Sequence, residues 1–422
     1  MPRINGERLL GDLRRIAQFG AYRTGVHRPT FSPQDVESRH WLVERMREAG
    51  LDARIDGVGN VFGRCPGAGP RLLMGSHSET QSYSGWLDGV MGVIYGLEVA
   101  RALREDPDCD GMGVDVAAWA DEESFFMNYL GSRSFIGTLT EEMLDASVSR
   151  IDGQPLREAL QQAGFAGLAQ QRLEEGRYLG YMEAHIEQGA TLEQAGLRIG
   201  AVTGIVGVRL FRVTAEGIQN HAGTTPMPIR RDARAAVTRL CNAIDEGFAG
   251  LAAERTVWTI GRIDLEPNFP SVIPGRATMM VQMRDVDDAV LERMEQALRS
   301  MVAEADARGP CRLGIERVSF SKPAIMDAGF VAAVAEAAER HAPGLWTRMQ
   351  SGAGHDAQIL ALRMPAAMLF VPSIGGISHH WTENTSDEDL VLGCQVFATA
   401  AAGIMRNAPA GGPGRREAGA TP

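Results

Sequence analysis

Four scarcities narrow the possibilities before any motif is considered. Cysteine is rare: five residues in 422, at Cys65, Cys109, Cys241, Cys311 and Cys394, far apart and with no C-x-x-C pair. That argues against a disulfide framework or a zinc–thiolate site and leaves ordinary buried thiols. Basic clusters are missing, since 42 Lys and Arg are scattered among 53 Asp and Glu for a formal charge of −11. The chain therefore has no electrostatic footprint for nucleic acid, and its charge serves solubility. No apolar run reaches the roughly 18 residues that span a bilayer. The opening segment, MPRINGERLLGDLRRIAQFG, is charged and helix-like. It has neither the apolar stretch nor the small-residue cleavage site of a signal peptide, so a cytoplasmic enzyme is expected. Histidine is also scarce, with nine residues in the chain.

What is present reads as a globular enzyme: 44% hydrophobic and 23% charged residues. The length exceeds one ordinary core, so two domains are expected. In the first part, helix-like and strand-like segments alternate. Phe31 to Ala49 reads as a helix opened by Ser32-Pro33 and closed by Gly50, and Arg71 to Met74 as a short strand. Asp88 to Leu103 reads as an apolar helix and Val114 to Ala120 as a strand. This alternation predicts an α/β catalytic domain with a central, mostly parallel sheet flanked by helices. Ligands bind at the carboxyl ends of such strands.

The texture changes near Gly204. Val208 to Glu216 alternates with period two, and Thr256 to Ile263 and Ala277 to Arg284 are further strands. Ile229 to Phe248 and Leu291 to Ala307 read as amphipathic helices. Residues 205–323 are therefore expected to form a smaller α+β insert, with hinges near Gly204 and Lys322. Residues 1–204 and 324–407 make up the larger domain, where Ala366 to Val371 is another buried strand. The Pro/Gly/Ala-rich stretch 408–422 reads as a disordered tail.

Ligand-type side chains follow the strands. His77 lies in GSHSET, Asp88 in WLDGV, Glu122 and Glu123 after VDVAAWAD, His185 in YMEAHIEQG and His379 in GGISHH. Imidazole and carboxylate are the donors that suit Zn²⁺, Mn²⁺, Co²⁺ or Ni²⁺. A carboxylate is needed to bridge two cations, and Asp88 precedes a Gly turn that could aim it. Adjacent side chains on extended backbone point opposite ways, so Glu122 and Glu123 should have different tasks. Taken singly, each of these groups also reads as a satisfied polar side chain at a strand end. The stretch 352–357 fits G-x-G-x-x-A. The lead-in RMQS is not an apolar strand and no acid follows about 20 residues on, which argues against a dinucleotide site.

GSHSET with GWLDGVMGV, WADEE with LGSR, EAHIEQG, NHAGTTPMPIRRDA, SGAGHDAQ and FVPSIGGISHHWTENTS together resemble the hydantoinase/carbamoylase group of M20-type metal-dependent amidases. That group includes N-carbamoyl-L-amino acid hydrolases, β-ureidopropionases and allantoate amidohydrolases, and its motifs run in order over nearly the whole chain. The resemblance implies a homodimeric hydrolase of linear amides that uses two divalent metal ions, most simply zinc. His77 and His185 would hold one ion, Glu123 and His379 the other, and Asp88 both. Glu122 would be the general base toward a water shared between them. The insert would serve as lid and dimerisation domain. On it, His221 would stabilise an oxyanion in the partner's site, and Arg284 would pair with a substrate carboxylate. A surface loop histidine and a structural ion pair are the alternatives for these two. Asn268, Ser271, Gly354 and His355 would line the substrate pocket. A peptidase or deacylase on the same scaffold, and a metal-binding relative without catalysis, remain as rival readings.

Four departures from the group's pattern stand out. Glu79 replaces the usual Asp after the first metal histidine, a change expected to shift the groups that orient that ligand. Ser271 replaces an Asn. The segment SFFMNYLGSR has lost an Arg and gained Phe125, Phe126 and Met127, which would either make the substrate pocket more apolar or pack in the core. His380-Trp381 replaces Asn-Pro.

Overall fold

The computed structural model describes residues 1–67 and 71–408, so all but the first residue of the expected tail lies outside the described residues. The chain divides into two compact units, Met1–Thr203 with Met326 onward, and Gly204–Ile325.

The first unit is built on a nine-stranded sheet. Its four central strands, Val114–Trp119, Arg71–His77, Tyr178–Ile186 and Ala366–Val371, run parallel in that spatial order. Every residue of these four strands is buried, as expected where both faces are covered by helices. The flanks are different. Asp52–Ile55, Val61–Arg64 and Val114–Trp119 pair antiparallel, as do Ala366–Val371, Ile199–Ile205 and Ala324–Ile325. The sheet is therefore mixed rather than mostly parallel. Short connections such as the one between Ile55 and Val61 permit only antiparallel pairing, whereas the central pairs have room for a crossover helix.

The helices Val90–Glu105 and Asp387–Arg406 pack on the central strands and on each other. The second is long and apolar enough by composition to cross a membrane, although charged residues at its ends break the apolar run. Here Leu390, Val396 and Phe397 are fully buried, so it is a core helix. Ser32 caps the helix Pro33–Glu48 by accepting from the Asp35 N–H. The helix after Asp88 begins only at Val90, because Gly89 takes φ +67. A further apolar cluster joins Val58, Phe125, Phe126, Leu130, Leu156 and Phe165, with Met127 against it. The new aromatics after Glu123 are thus core, which removes the basis for an apolar pocket made by them. A strand, Trp346–Ser351, does precede the G-x-G-x-x-A stretch, and a short helix, Asp356–Leu360, begins within it. That strand is half exposed, so its sequence lacks the apolar signature of a buried one.

The second unit has a four-stranded antiparallel sheet in the order Val257–Glu266, Arg276–Asp285, Gly207–Glu216, Arg312–Ser321. Alternate residues such as Phe211, Val213, Met279 and Val281 pack against Leu240, Ile244, Phe248, Leu291 and Leu298 of two helices. The first helix spans Ala233–Ala249 rather than starting at Ile229, because Asp232 caps it through the Ala235 N–H. The second starts at Asp288 under a similar cap from Asp287.

Phe126→Ala leaves a cavity in the cluster around Leu130 and Phe165. It should lower stability by about 3–5 kcal/mol in urea denaturation while leaving substrate preference unchanged.

Candidate metal centre

Parallel strands deliver their carboxyl ends to one edge, and the site grows from those ends. His77 is the last residue of its strand and pairs in register with Trp119, the last residue of the next. His185 lies opposite Phe370 on the third pair. Glu122 and Glu123 follow Trp119 after a short turn, and His379 follows the Ala366–Val371 strand by a loop. Asp88 sits just before the helix Val90–Glu105, buried.

The structure brings all six of these side chains together. Asp88 places Oδ1 at 3.1 Å from His185 Nε2 and Oδ2 at 3.2 Å from His379 Nε2. His77 Nε2 stands 3.8 Å from Asp88 Oδ1 and 3.9 Å from Glu122 Oε2. Glu123 Oε1 is 3.6 Å from His379 Nε2. The donor atoms of three triads, His77–Asp88–His185, Asp88–Glu123–His379 and His77–Glu122–Glu123, each fall within 4.8 Å of one another.

Several features show that this set fits cations. The Nδ1 atoms of His77 and His185 face the main-chain oxygens of Glu79 and Ile186 at 3.1 and 2.9 Å. With Nδ1 directed at these oxygens, both rings turn Nε2 inward toward the acids. Glu123 Oε1 is buried without a hydrogen-bond partner, a costly state for a carboxylate unless a cation meets it. Gly89 lies against the His77 ring, where a Cβ would come within 2.3 Å of it. His379, Gln188, Asp121 and Ser124 all hold positive φ. Such backbone strain concentrates where geometry must be held.

Electrostatics tell the same story. Burial would raise the Asp88 carboxyl, but hydrogen bonds from His185 and His379 outweigh it and hold it well below the usual range. Burial and then the neighbouring Glu123 push Glu122 well up, and burial with Asp88 pushes Glu123 to about 8. Burial acts to lower His185, yet its bond to Asp88 raises it to about 9. The bond to Asp88 likewise takes His379 to about 9.

Four supporting residues were not singled out in the sequence. Gln188 donates from Nε2 to both oxygens of Asp88 at 3.2 and 3.3 Å. Gln81 donates to Glu123 Oε2 at 2.7 Å. Glu383 accepts from the Asp88 N–H at 3.2 Å and from Ser378 Oγ at 2.9 Å. Arg39, fully buried, donates to Glu79 Oε2 at 3.0 Å. The first three lie inside the quoted motif stretches or one residue beyond, which was the available signal. Arg39 lies on a helix with no local hint.

His355 is buried, with its ring edge-on to His185 at 4.6 Å and bonded to Ser351 Oγ at 2.8 Å. It backs a candidate ligand. Gly354 lies so close to Tyr129 that a Cβ would meet its hydroxyl at 2.0 Å. Trp381 packs on the turn at Arg23–Gly25, with the Arg23 guanidinium 4.6 Å from its ring. In the second unit, His221 pairs in register with Val272, and the Ala222 N–H donates to the Ser271 carbonyl. His221 Nδ1 accepts from the Gly223 and Thr224 N–H groups at 3.0 and 3.1 Å, so its proton sits on Nε2. Asn268 is exposed, and Arg284 Nε donates to Gln282 at 2.9 Å.

Three histidines and three acids gathered at the ends of parallel strands, with His379 at the exposed side, form a candidate site for metal ions. The model of Peptidase family M20/M25/M40 matches residues 77–403. Over 407 residues the chain is 34% identical to the N-carbamoyl-L-amino acid amidohydrolase of Geobacillus stearothermophilus, covering 93% of this chain and 97% of that one. It is 34% identical over 393 residues to the allantoate amidohydrolase of Escherichia coli strain K12, covering 91% and 94%. A crystal structure of an amidase of the hydantoinase/carbamoylase family from Burkholderia phymatum superposes with a TM-score of 0.89 at 48% identity, covering 96% and 98%. The chain belongs to peptidase family M20/M25/M40, and within it to the hydantoinase/carbamoylase amidases.

Two outcomes follow from this geometry. Gly89→Ala should lose bound metal, read by elemental analysis, because the added methyl displaces His77. Metal uptake must strip protons from Glu123, His185 and His379, whose pKa values stand at about 8, 9 and 9 in the absence of a cation. Apparent affinity should therefore rise from pH 6 to pH 8, with proton release detected by calorimetry in buffers of different ionisation enthalpy.

Proposed function

We propose that the protein hydrolyses the C–N bond of a linear N-carbamoyl (ureido) or N-acyl amino acid. Two divalent ions would be held by His77 with His185 and by Glu123 with His379, both shared by Asp88. The observation that carries this reading is Asp88 itself, whose two oxygens each face a different histidine at 3.1 and 3.2 Å. Imidazole and carboxylate donors fit zinc best, with Mn, Co or Ni compatible. When bound, the pair of ions would polarise the scissile carbonyl and lower the pKa of water.

The side chains do the rest. Glu122 is largely shielded from solvent, and it is raised chiefly by that desolvation. A carboxylate so placed can take a proton from attacking water and return it to the leaving nitrogen. His221 presents Nε2–H to a developing oxyanion, and Arg284 offers a planar fork to a substrate carboxylate. Asn268, Ser271 and Gly354 are the remaining candidates for substrate contact. The unit Gly204–Ile325 would serve as lid and dimerisation domain. The ureido-type relatives favour carbamoyl substrates over peptides.

Glu122→Gln should retain both ions and lose kcat by about 10²–10⁴-fold, whereas His77→Ala should lose metal. Full turnover in Glu122→Gln would remove Glu122 from the role of base. A panel of N-carbamoyl, N-acyl and ureido acids beside dipeptides would decide the substrate class. Preferential cleavage of the dipeptides would favour the peptidase reading instead.

A further inference from the structure

The loop Ser78–Gln81 joins the first metal-site histidine to the two glutamates. Its Glu79 does not bond the His77 ring: the nearest carboxylate oxygen lies 3.9 Å from Nδ1, while the Glu79 main-chain oxygen takes that place at 3.1 Å. The side chain instead reaches further. Oε1 accepts the Glu122 N–H at 2.7 Å, and Oε2 accepts from Arg39 at 3.0 Å. Arg39 also donates to Asp35 Oδ2 at 2.8 Å and to the Gly59 carbonyl at 2.8 Å. All three charged residues, Asp35, Arg39 and Glu79, are fully buried. From below, buried Arg28 grips the Ser78 carbonyl at 2.9 Å, and its N–H donates to Thr80 Oγ1 at 3.0 Å. Gln81 completes the brace by bonding both the carbonyl and a carboxylate oxygen of Glu123.

We propose that Glu79, held by Arg39, is a positioning residue that fixes the Glu122 backbone, and that the length of its arm makes this possible. The inference rests on the assignment of Glu122 as base. An aspartate at this position is one methylene shorter and cannot reach the Glu122 N–H while keeping Arg39. A buried charge is a reliable strut only when paired, and Arg39 supplies the pairing. The gain is a fixed base, since small displacements of a catalytic group are costly.

The test pairs two variants that separate length from charge. Glu79→Asp keeps charge and loses length. It should retain both ions and a KM within about twofold, and lower kcat by about 10-fold or more. Hydrogen exchange of the peptide bearing the Glu122 amide should speed up in it by about 10-fold, with or without metal. Glu79→Gln keeps the length and an acceptor oxygen. It should keep the slow exchange and a kcat within about threefold, with a lower Tm because Arg39 loses a carboxylate partner. Unchanged exchange in Glu79→Asp would overturn the proposal. So would loss of metal in that variant with the amide still protected, since Glu79 would then serve His77. Turnover surviving in Glu122→Gln would sink the base assignment alone, because amide exchange reports the Glu79 bond independently.

Discussion

The carboxylate of Asp88 is the point on which the catalytic unit depends. It is buried, and its oxygens face His185 on one side and His379 on the other. Around it stand Glu122, Glu123, Glu79 and Glu383, an accumulation of acids that would repel one another in a dry interior. Only positive charge among them makes the arrangement tenable. Without cations that charge comes from protons on the histidines and on the raised carboxyls; with them, from the ions. The same acids that repel one another would therefore attract cations.

Holding so many acids still requires rigid surroundings. Glycines at Gly85 and Gly89 let Glu383 and the His77 ring approach the backbone more closely than any Cβ would allow. Left-handed backbone at Asp121, Ser124, Gln188 and His379 aims the neighbouring side chains. The apolar cluster of Phe125, Phe126, Leu130 and Phe165 anchors the segment after Glu123. Strain on one side of the glutamates is thus offset by packing on the other.

Much of this was legible in the sequence, for identifiable reasons. Three of the four central strands read as apolar runs because they are buried on both faces, whereas Tyr178–Ile186, with polar residues among its apolar ones, did not, and the candidate ligands stood out because histidine is rare. The six-residue set was marked by motifs. The partner of each ligand was not, because it is fixed by folding across distant segments: Arg39 with Glu79, Gln188 with Asp88, Glu383 with the Asp88 amide. The antiparallel flanks escaped notice because period and polarity do not encode strand direction. The helix Ala233–Ala249 began late because an Asp232 cap outweighs the hydrophobic pattern before it. Phe125 and Phe126 could be read as pocket or core until the cluster around them was visible.

The placement of Ala366–Val371 carries a consequence for how the chain is made. That strand lies between Tyr178–Ile186 and Ile199–Ile205, so the sheet stays split until Ala366–Val371 has been made. His379 and the helix Asp387–Arg406, which covers the same strands, arrive later still. A nascent or truncated chain ending before these elements exposes an unpaired apolar edge and lacks a complete ligand set. Closure of the core and assembly of the candidate ligand set therefore both wait on residues 366 to 406.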